Sequence, residues 1–228
     1  LTAVGNTLYF RANDGTNGYE LWKSDGTASG TVMVKDIRSG SSDSSLNFLT
    51  AVGNTLYFQA NDGTNGYELW KSDGTASGTV MVKDINSGSG SSSLSYLTVV
   101  GNTLYFRAND GTNGIELWKS DGTASGTVMV QDIYSGIFGS NLKEFTVVGN
   151  TLYFQANDGI HGYELWALDP ANITGLSGGS GSSGGTTNVA NAMSCVATPS
   201  LPAGLNIDSS TCTISGTPTV ETSNTTYT

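Results

Sequence analysis

The stretch Ala3–Ile37, AVGNTLYFRANDGTNGYELWKSDGTASGTVMVKDI, decides how the chain must be read, because it returns at Ala51–Ile85 with one change, Arg11 becoming Gln59. Val99–Ile133 is a third copy with conservative changes. Val147–Trp166 begins a fourth before the sequence departs into Ala167-Leu168-Asp169-Pro170. Trp22, Trp70, Trp118 and Trp166 mark the period, 48 residues each time. A fixed period of this length is the signature of a repeat architecture, in which one supersecondary unit buries its apolar face only by stacking on its neighbours.

Within the second unit, four segments rich in β-branched and aromatic residues, Phe48–Val52, Thr55–Asn61, Tyr67–Ser72 and Thr79–Ile85, are separated by turn-forming residues. Gly53-Asn54 suits a two-residue hairpin that needs positive φ, and Asp62–Gly66 and Asp73–Gly78 are longer glycine-bearing loops. Three tight turns predict a four-stranded antiparallel meander. The fourth connection, Asn86–Ser95, is a longer Ser/Gly stretch, as expected if each sheet returns the chain from an outer edge to a central axis. The fold class expected is therefore all-β, with β-propeller-type blades at about 1–47, 48–95, 96–143 and 144–169. Leu56, Phe58 and Ala60 share one face of the second strand and Tyr57 the other, so both faces are expected to be covered. Trp22, Trp70, Trp118 and Trp166 are read as inter-blade packing, since an aromatic side chain buries a large area. The fourth unit lacks a last strand after Trp166, which must come from elsewhere.

The chain has 228 residues, enough for one large or two small domains. Nine basic against nineteen acidic residues give a net charge of -10, which repels phosphate backbones and excludes nucleic acid as a partner. No apolar run approaches the ~20 residues that cross a bilayer, so direct membrane insertion is not expected. Leu1 falls inside a repeat and no Met opens the chain, which predicts a processed or partial chain whose export signal lies outside it.

Glu20–Thr27, Glu68–Thr75 and Glu116–Thr123 each read ELWKSDGT, and this motif resembles the ELWxxDGT repeat of secreted prokaryotic proteins. After a Gly/Ser-rich linker at 170–187, Leu201–Leu205 (LPAGL) and Ile214–Thr219 (ISGTPT) resemble the signature of immunoglobulin-like domains on prokaryotic surface proteins. Residues 188–228 are thus expected to form a partial Ig-like β-sandwich, completed by further residues or by another chain. The resemblances imply an extracellular or cell-surface protein with a repeat array at 1–169, and bring no established catalytic site.

Cys195 and Cys212 are the only cysteines and both fall in this tail. A disulfide is expected, because a zinc site needs more ligands than two cysteines and His161, the single histidine, provide. Asp14, Asp62, Asp110 and Asp158 recur in the Asn-Asp-Gly loops. They are candidates for a ring of ligand or calcium sites, although the same pattern suits an Asx turn in which the carboxylate accepts backbone N–H bonds. No cofactor is otherwise expected. Glu20 and Asp14 could be imagined as a glycosidase pair, but an active site needs differently tuned groups converging once, and every carboxylate here is copied into nearly identical surroundings. The chain is therefore not expected to be an enzyme. Asn172 and Asn224 stand in N-glycosylation sequons, and the third connection is made more apolar by Ile137 and Phe138. Together these features predict an exported structural or adhesive element, a subunit of an extracellular filament in its specific form. The expected partners are copies of itself, other surface proteins or glycans. The alternative is a carbohydrate- or calcium-binding propeller module of a larger secreted enzyme.

Overall fold

A computed structural model describes residues 1–171, 177–178, 205–207 and 214–216. The first unit consists of β1 (Thr2–Val4), β2 (Thr7–Asn13), β3 (Tyr19–Ser24) and β4 (Val32–Lys35). The second has β5 (Asn47–Val52), β6 (Thr55–Asn61), β7 (Tyr67–Ser72) and β8 (Val80–Lys83), and the third β9 (Ser95–Val100), β10 (Thr103–Asn109), β11 (Ile115–Ser120) and β12 (Val128–Gln131). Each unit is a four-stranded antiparallel sheet in sequence order. The fourth has three full strands, β13 (Lys143–Val148), β14 (Thr151–Asn157) and β15 (Tyr163–Leu168), and beside them only the two-residue β16 (Ser177–Gly178). Two further short strands, β17 (Leu205–Ile207) and β18 (Ile214–Gly216), pair antiparallel with each other.

The sheets stack in chain order through their faces. Tyr9, Leu21, Val34, Ile37 and Leu46 of the first unit form one core with Leu56, Phe58, Ala60 and Trp70 of the second. The same combination recurs between the second and third units around Tyr57, Leu69, Phe106 and Trp118, and between the third and fourth around Tyr105, Leu117 and Phe154. One face of each sheet carries the Tyr and the Leu of Glu-Leu-Trp, and the opposite face the Leu-x-Phe-x-Ala row and the Trp. This is the period-two alternation of a strand covered on both sides.

The expectation of β-propeller blades is corrected by the arrangement of these sheets. Among the described residues no sheet closes on itself and no strand pairing joins one sheet to the next. Leu8 is 40% exposed where Leu56, Leu104 and Leu152 are fully buried, and Leu165 is 61% exposed where Leu21, Leu69 and Leu117 are fully buried. In a closed ring, equivalent residues of all units would share one environment; among the described residues the first sheet has no neighbour on one side and the fourth none on the other.

The long connection differs from expectation too, and for a local reason. It is not a loose return to an axis but a strap between adjacent sheets. Ser44 N–H donates to Tyr19 O (3.2 Å) while Asn61 N–H donates to Ser44 O (2.9 Å), so one serine ties the third strand of the first unit to the second strand of the next. Ser92 and Ser140 repeat the arrangement, and all three serines are fully buried. Leu46, Leu94 and Leu142, two residues further on, are buried as well. Just inside the following strand, Phe48, Tyr96 and Glu144 take φ values of 56 to 57°, where the register of β5, β9 and β13 against its neighbour shifts. A left-handed residue at such a bulge turns the strap into the sheet.

Candidate functional site

Two rims of loops could meet a partner. On the first rim, Asp62 Oδ1 accepts from the N–H groups of Thr64 and Asn65 at 2.8 Å each, and its Oδ2 accepts from Asn65 Nδ2 at 2.7 Å. Asp14 and Asp110 repeat this pattern. Asp158 does so with Ile160 and His161, whose Nδ1 lies 2.7 Å from Asp158 Oδ2. The backbone N–H groups of Asn17 and Thr16 hold the Asp14 carboxyl below the usual carboxylate range. At Asp62, partial burial pushes the other way, and the donors of Asn65 and Thr64 still win. These carboxylates are turn acceptors with most of their acceptor capacity in use. No group of three or more His, Cys, Asp or Glu placed to hold a metal ion is found among the described residues; Asp14, Asp62, Asp110 and Asp158 each stand in a separate loop of their own unit.

The second rim is a series of joints. Tyr9 reaches from the first unit onto Gly74 of the second, its hydroxyl 2.3 Å from where a Cβ on Gly74 would stand. Lys23 Nζ donates to Gly74 O at 2.8 Å. Lys35 Nζ donates to Thr79 O at 2.8 Å and lies 6.0 Å from the centre of the Trp70 ring. Tyr57, Lys71 and Lys83 make the same contacts with Gly122, Thr127 and Trp118. Each residue of the motif thereby acquires a reason. The aspartate ties its own turn, Asp73 Oδ1 accepting from Thr75 N–H and Thr75 Oγ1; the glycine receives the preceding tyrosine and lysine; the tryptophan packs under the preceding lysine. A hydrogen bond to a charged group contributes about 1.5–3 kcal/mol and an exposed cation–π contact about 0.5–1 kcal/mol. Trp70 and Trp118 are buried, while Trp22 and Trp166, on the end units, are half-buried.

The glutamate of the motif is a fully buried latch. Glu68 accepts from Ile85 N–H at 2.9 Å, Asn86 N–H at 3.4 Å and Ser92 N–H at 3.1 Å, closing the strap over its own sheet. Glu20 does the same, and Glu116 accepts from Ile133 N–H and Tyr134 N–H but takes its serine bond from Ser140 Oγ at 2.7 Å. Burial pushes the carboxyls of Glu68 and Glu116 up to about 7, outweighing the donors that pull them down. Asp36, Asp84 and Asp132 each accept from a strap glycine, Gly88 N–H lying 3.0 Å from Asp84 Oδ2. Sequence reasoning missed the strap serines. Their signal was the recurrence of Ser-x-Leu at Ser44, Ser92 and Ser140 inside segments that otherwise vary.

At the third joint the pattern thins. Gln131 replaces the lysine, and Ala167-Leu168-Asp169 replaces the Lys-Ser-Asp before the turn. The place of the missing last strand is taken in part by β16, whose Gly178 and Ser177 pair with Trp166 and Ala167 where Met33 and Val32 pair with Trp22 and Lys23. Tyr134 lies over Gly159 and stacks on Phe138 at 5.4 Å, beside the exposed Ile137 and Ile160.

Cys195, Cys212, Asn172 and Asn224 lie outside the described residues. No disulfide is found among the described residues, and the expected Cys195–Cys212 bond is not carried forward. Among the described residues no helix is long and apolar enough to cross a membrane.

No curated protein matches the chain. Residues 171–228 match the He_PIG family, described as Putative Ig domain; a C-terminal Ig-like domain therefore follows the repeat array.

Proposed function

We propose that the chain is an exported cell-surface structural or adhesive repeat protein, and that self-association extends it into an extracellular filament. The observation that supports this most directly is the use made of the repeated side chains. The tyrosine and both lysines of the first and second units reach onto the glycine, threonine and tryptophan of the unit that follows, and the aspartates and glutamate fix each unit's turns and strap. Such an array is a spacer, which suits holding a partner away from a surface. The Ig-like family matched at the C-terminus agrees with a cell-surface location, as do the resemblances of Glu68–Thr75 to the ELWxxDGT repeat and of Ile214–Thr219 to the surface-domain signature. We read the chain as non-enzymatic because its carboxylates are occupied by backbone donors in three near-identical settings, where catalysis needs dissimilar groups around one substrate. Its partners on this reading are further copies, other surface proteins or glycans.

Immunogold labelling of intact producing cells, before and after protease shaving, tests the location. Label on the outer surface that shaving removes is the expected result; label reached only after lysis would overturn the reading.

A further inference from the structure

We infer that the motif glutamate and the aspartate just after the fourth strand of the same unit form a carboxyl pair holding one proton between them, so that each strap is a latch that tightens as the medium turns acid. The pairs are Glu20 with Asp36, Glu68 with Asp84 and Glu116 with Asp132. Their geometry follows from the sheet. Leu69 of β7 stands opposite Lys83 of β8, so the next position outward sets Glu68 against Asp84. Directly opposite residues of an antiparallel pair project from the same face, with Cβ atoms about 4.5–5.5 Å apart. The registers of Leu21 with Lys35 and of Leu117 with Gln131 do the same for the other two pairs. Two like charges in that relation are destabilising, the more so where one is fully buried, as Glu20, Glu68 and Glu116 are.

The hydrogen bonds leave a place for the proton. Glu68 Oε2 accepts a single N–H, from Ile85, and Asp84 Oδ2 accepts from Gly88 N–H. Asp84 Oδ1 is buried without a partner, as are Asp36 Oδ1 and Asp132 Oδ1. Leaving a buried acceptor unpaired costs about 1–3 kcal/mol, and the same orphan recurs in all three units. A proton taken from the medium onto Glu68 turns one carboxyl oxygen into a donor for Asp84 Oδ1 and keeps acceptors for Ile85, Asn86 and Ser92. Side-chain cations are engaged elsewhere. Lys71 and Lys83 donate to Gly122 O and Thr127 O of the next unit, Arg38 of the preceding unit lies against Gly63 and reaches Asp43 O, and the ion pair found among the described residues is His161 with Asp158. Burial, aided by the charge of the facing aspartate, holds the Glu68 and Glu116 carboxyls at about 7 and pushes Glu20 the same way, which places the change near neutrality. Above it a pair carries two charges and its strap loosens; below it the pair carries one. Because Ser92 joins Tyr67 O to Asn109 N–H, a loosened strap also loosens the joint with the following sheet.

The test is hydrogen–deuterium exchange read by mass spectrometry on the full chain at about pH 5.5 and about pH 8.5, with labelling times scaled for intrinsic exchange. Protection of residues 85–92 and 133–140 is expected to fall at least about tenfold at the higher pH. Glu68→Gln keeps an acceptor for the strap and a donor for Asp84, so it should hold 85–92 protected at both pH values while 133–140 still opens. Asp84→Asn removes the facing charge and should lower the midpoint of the 85–92 transition by about one pH unit. If Glu68→Gln does not fold, the infrared band of protonated carboxyls in the wild type, expected to persist at about pH 5.5 and to vanish by about pH 8.5, gives the same reading. Straps equally protected at both pH values, an 85–92 transition that survives Glu68→Gln, a midpoint unmoved by Asp84→Asn, or no such infrared band would each overturn the inference. So would protection at about pH 8.5 restored by calcium, which would assign the pair to a metal ion rather than a proton.

Discussion

Gly26 and Gly74 sit in identical heptads, Ser-Asp-Gly-Thr-Ala-Ser-Gly, with φ of +91° and +89°, so an alanine at either suffers the same backbone strain. That strain is about 1–2 kcal/mol for a left-handed L-residue, offset by roughly 0.4–1 kcal/mol of unfolded-state entropy. Only at Gly74 does the new methyl meet a neighbour, the Tyr9 hydroxyl at 2.3 Å. Tyr9 is 5% exposed and held in the core shared by the first two units, so its ring cannot swing aside without opening that core. Overpacking of this kind costs about 1–3 kcal/mol. Gly74→Ala should therefore be less stable than Gly26→Ala by about 2 kcal/mol, a difference of roughly 4 to 8 °C in melting midpoint for a chain of this size. Tyr9→Phe supplies the control. With the hydroxyl removed, the nearest ring atom lies 3.5 Å from the methyl, an ordinary contact, so the double variant should recover most of the difference. Thermal and urea melts of the four variants in dilute solution measure it, and the Tyr9–Gly74 coupling should be about 1 kcal/mol or more. Equal destabilisation at Gly26 and Gly74, with no coupling to Tyr9, would refute the claim that the motif's glycine is a socket for the preceding unit.

Three further outcomes are expected. Leu56→Ala, at a fully buried site, should cost about 3 kcal/mol or more, and Leu8→Ala, at an exposed site, less than about 1 kcal/mol in dilute solution, as read by urea denaturation. Glu68 and Glu116 have folded-state pKa values raised to about 7, so the folded chain binds more protons than the unfolded one between the two pKa values. Stability should accordingly be greatest below the unfolded carboxylate range of about 4.3 as far as these groups are concerned, and fall as pH rises through about 7. A melting temperature that climbs from pH 8 to about 5, flattened by pairing Glu68→Gln with Glu116→Gln, is the expected result. Asp62→Asn should change the melting temperature little, because an amide oxygen can still accept from Thr64 and Asn65; calcium that raised the wild-type midpoint by several degrees, an effect lost in Asp62→Asn, would make the loop a metal site instead.

How much was legible follows from the range over which each signal acts. Strands such as Thr55–Asn61 and Tyr67–Ser72 coincide with the segments read from alternation and turn residues, because both are local properties. The way sheets meet is not local. A 48-residue meander with one long connection suits a closed ring and an open row equally well, and the choice lies in residues such as Leu8 and Leu165, whose neighbours cannot be inferred from their own strands. The connection misled for a related reason. Ser/Gly-rich composition suggests slack, but Ser44, Ser92 and Ser140 are pinned by a glutamate 24 residues earlier, a pairing that becomes visible only when strands are placed side by side. The aspartate loops were read with both outcomes open, and their hydrogen bonds favour the turn.

The strap has a mechanical meaning. Because each connection is pinned to its own sheet by a buried glutamate and to the next sheet through a serine, tension along the chain loads a small set of hydrogen bonds in shear before it reaches the core. Once one latch gives, its unit can pay out as a whole, releasing up to about 160 Å of extended chain for 48 residues. The neighbouring units, whose cores are shared with it, would each lose the cover of one face. Stretched between two points, the array would give way from the released latch outward and dissipate work as it lengthened, acting as a shock absorber rather than a rigid strut.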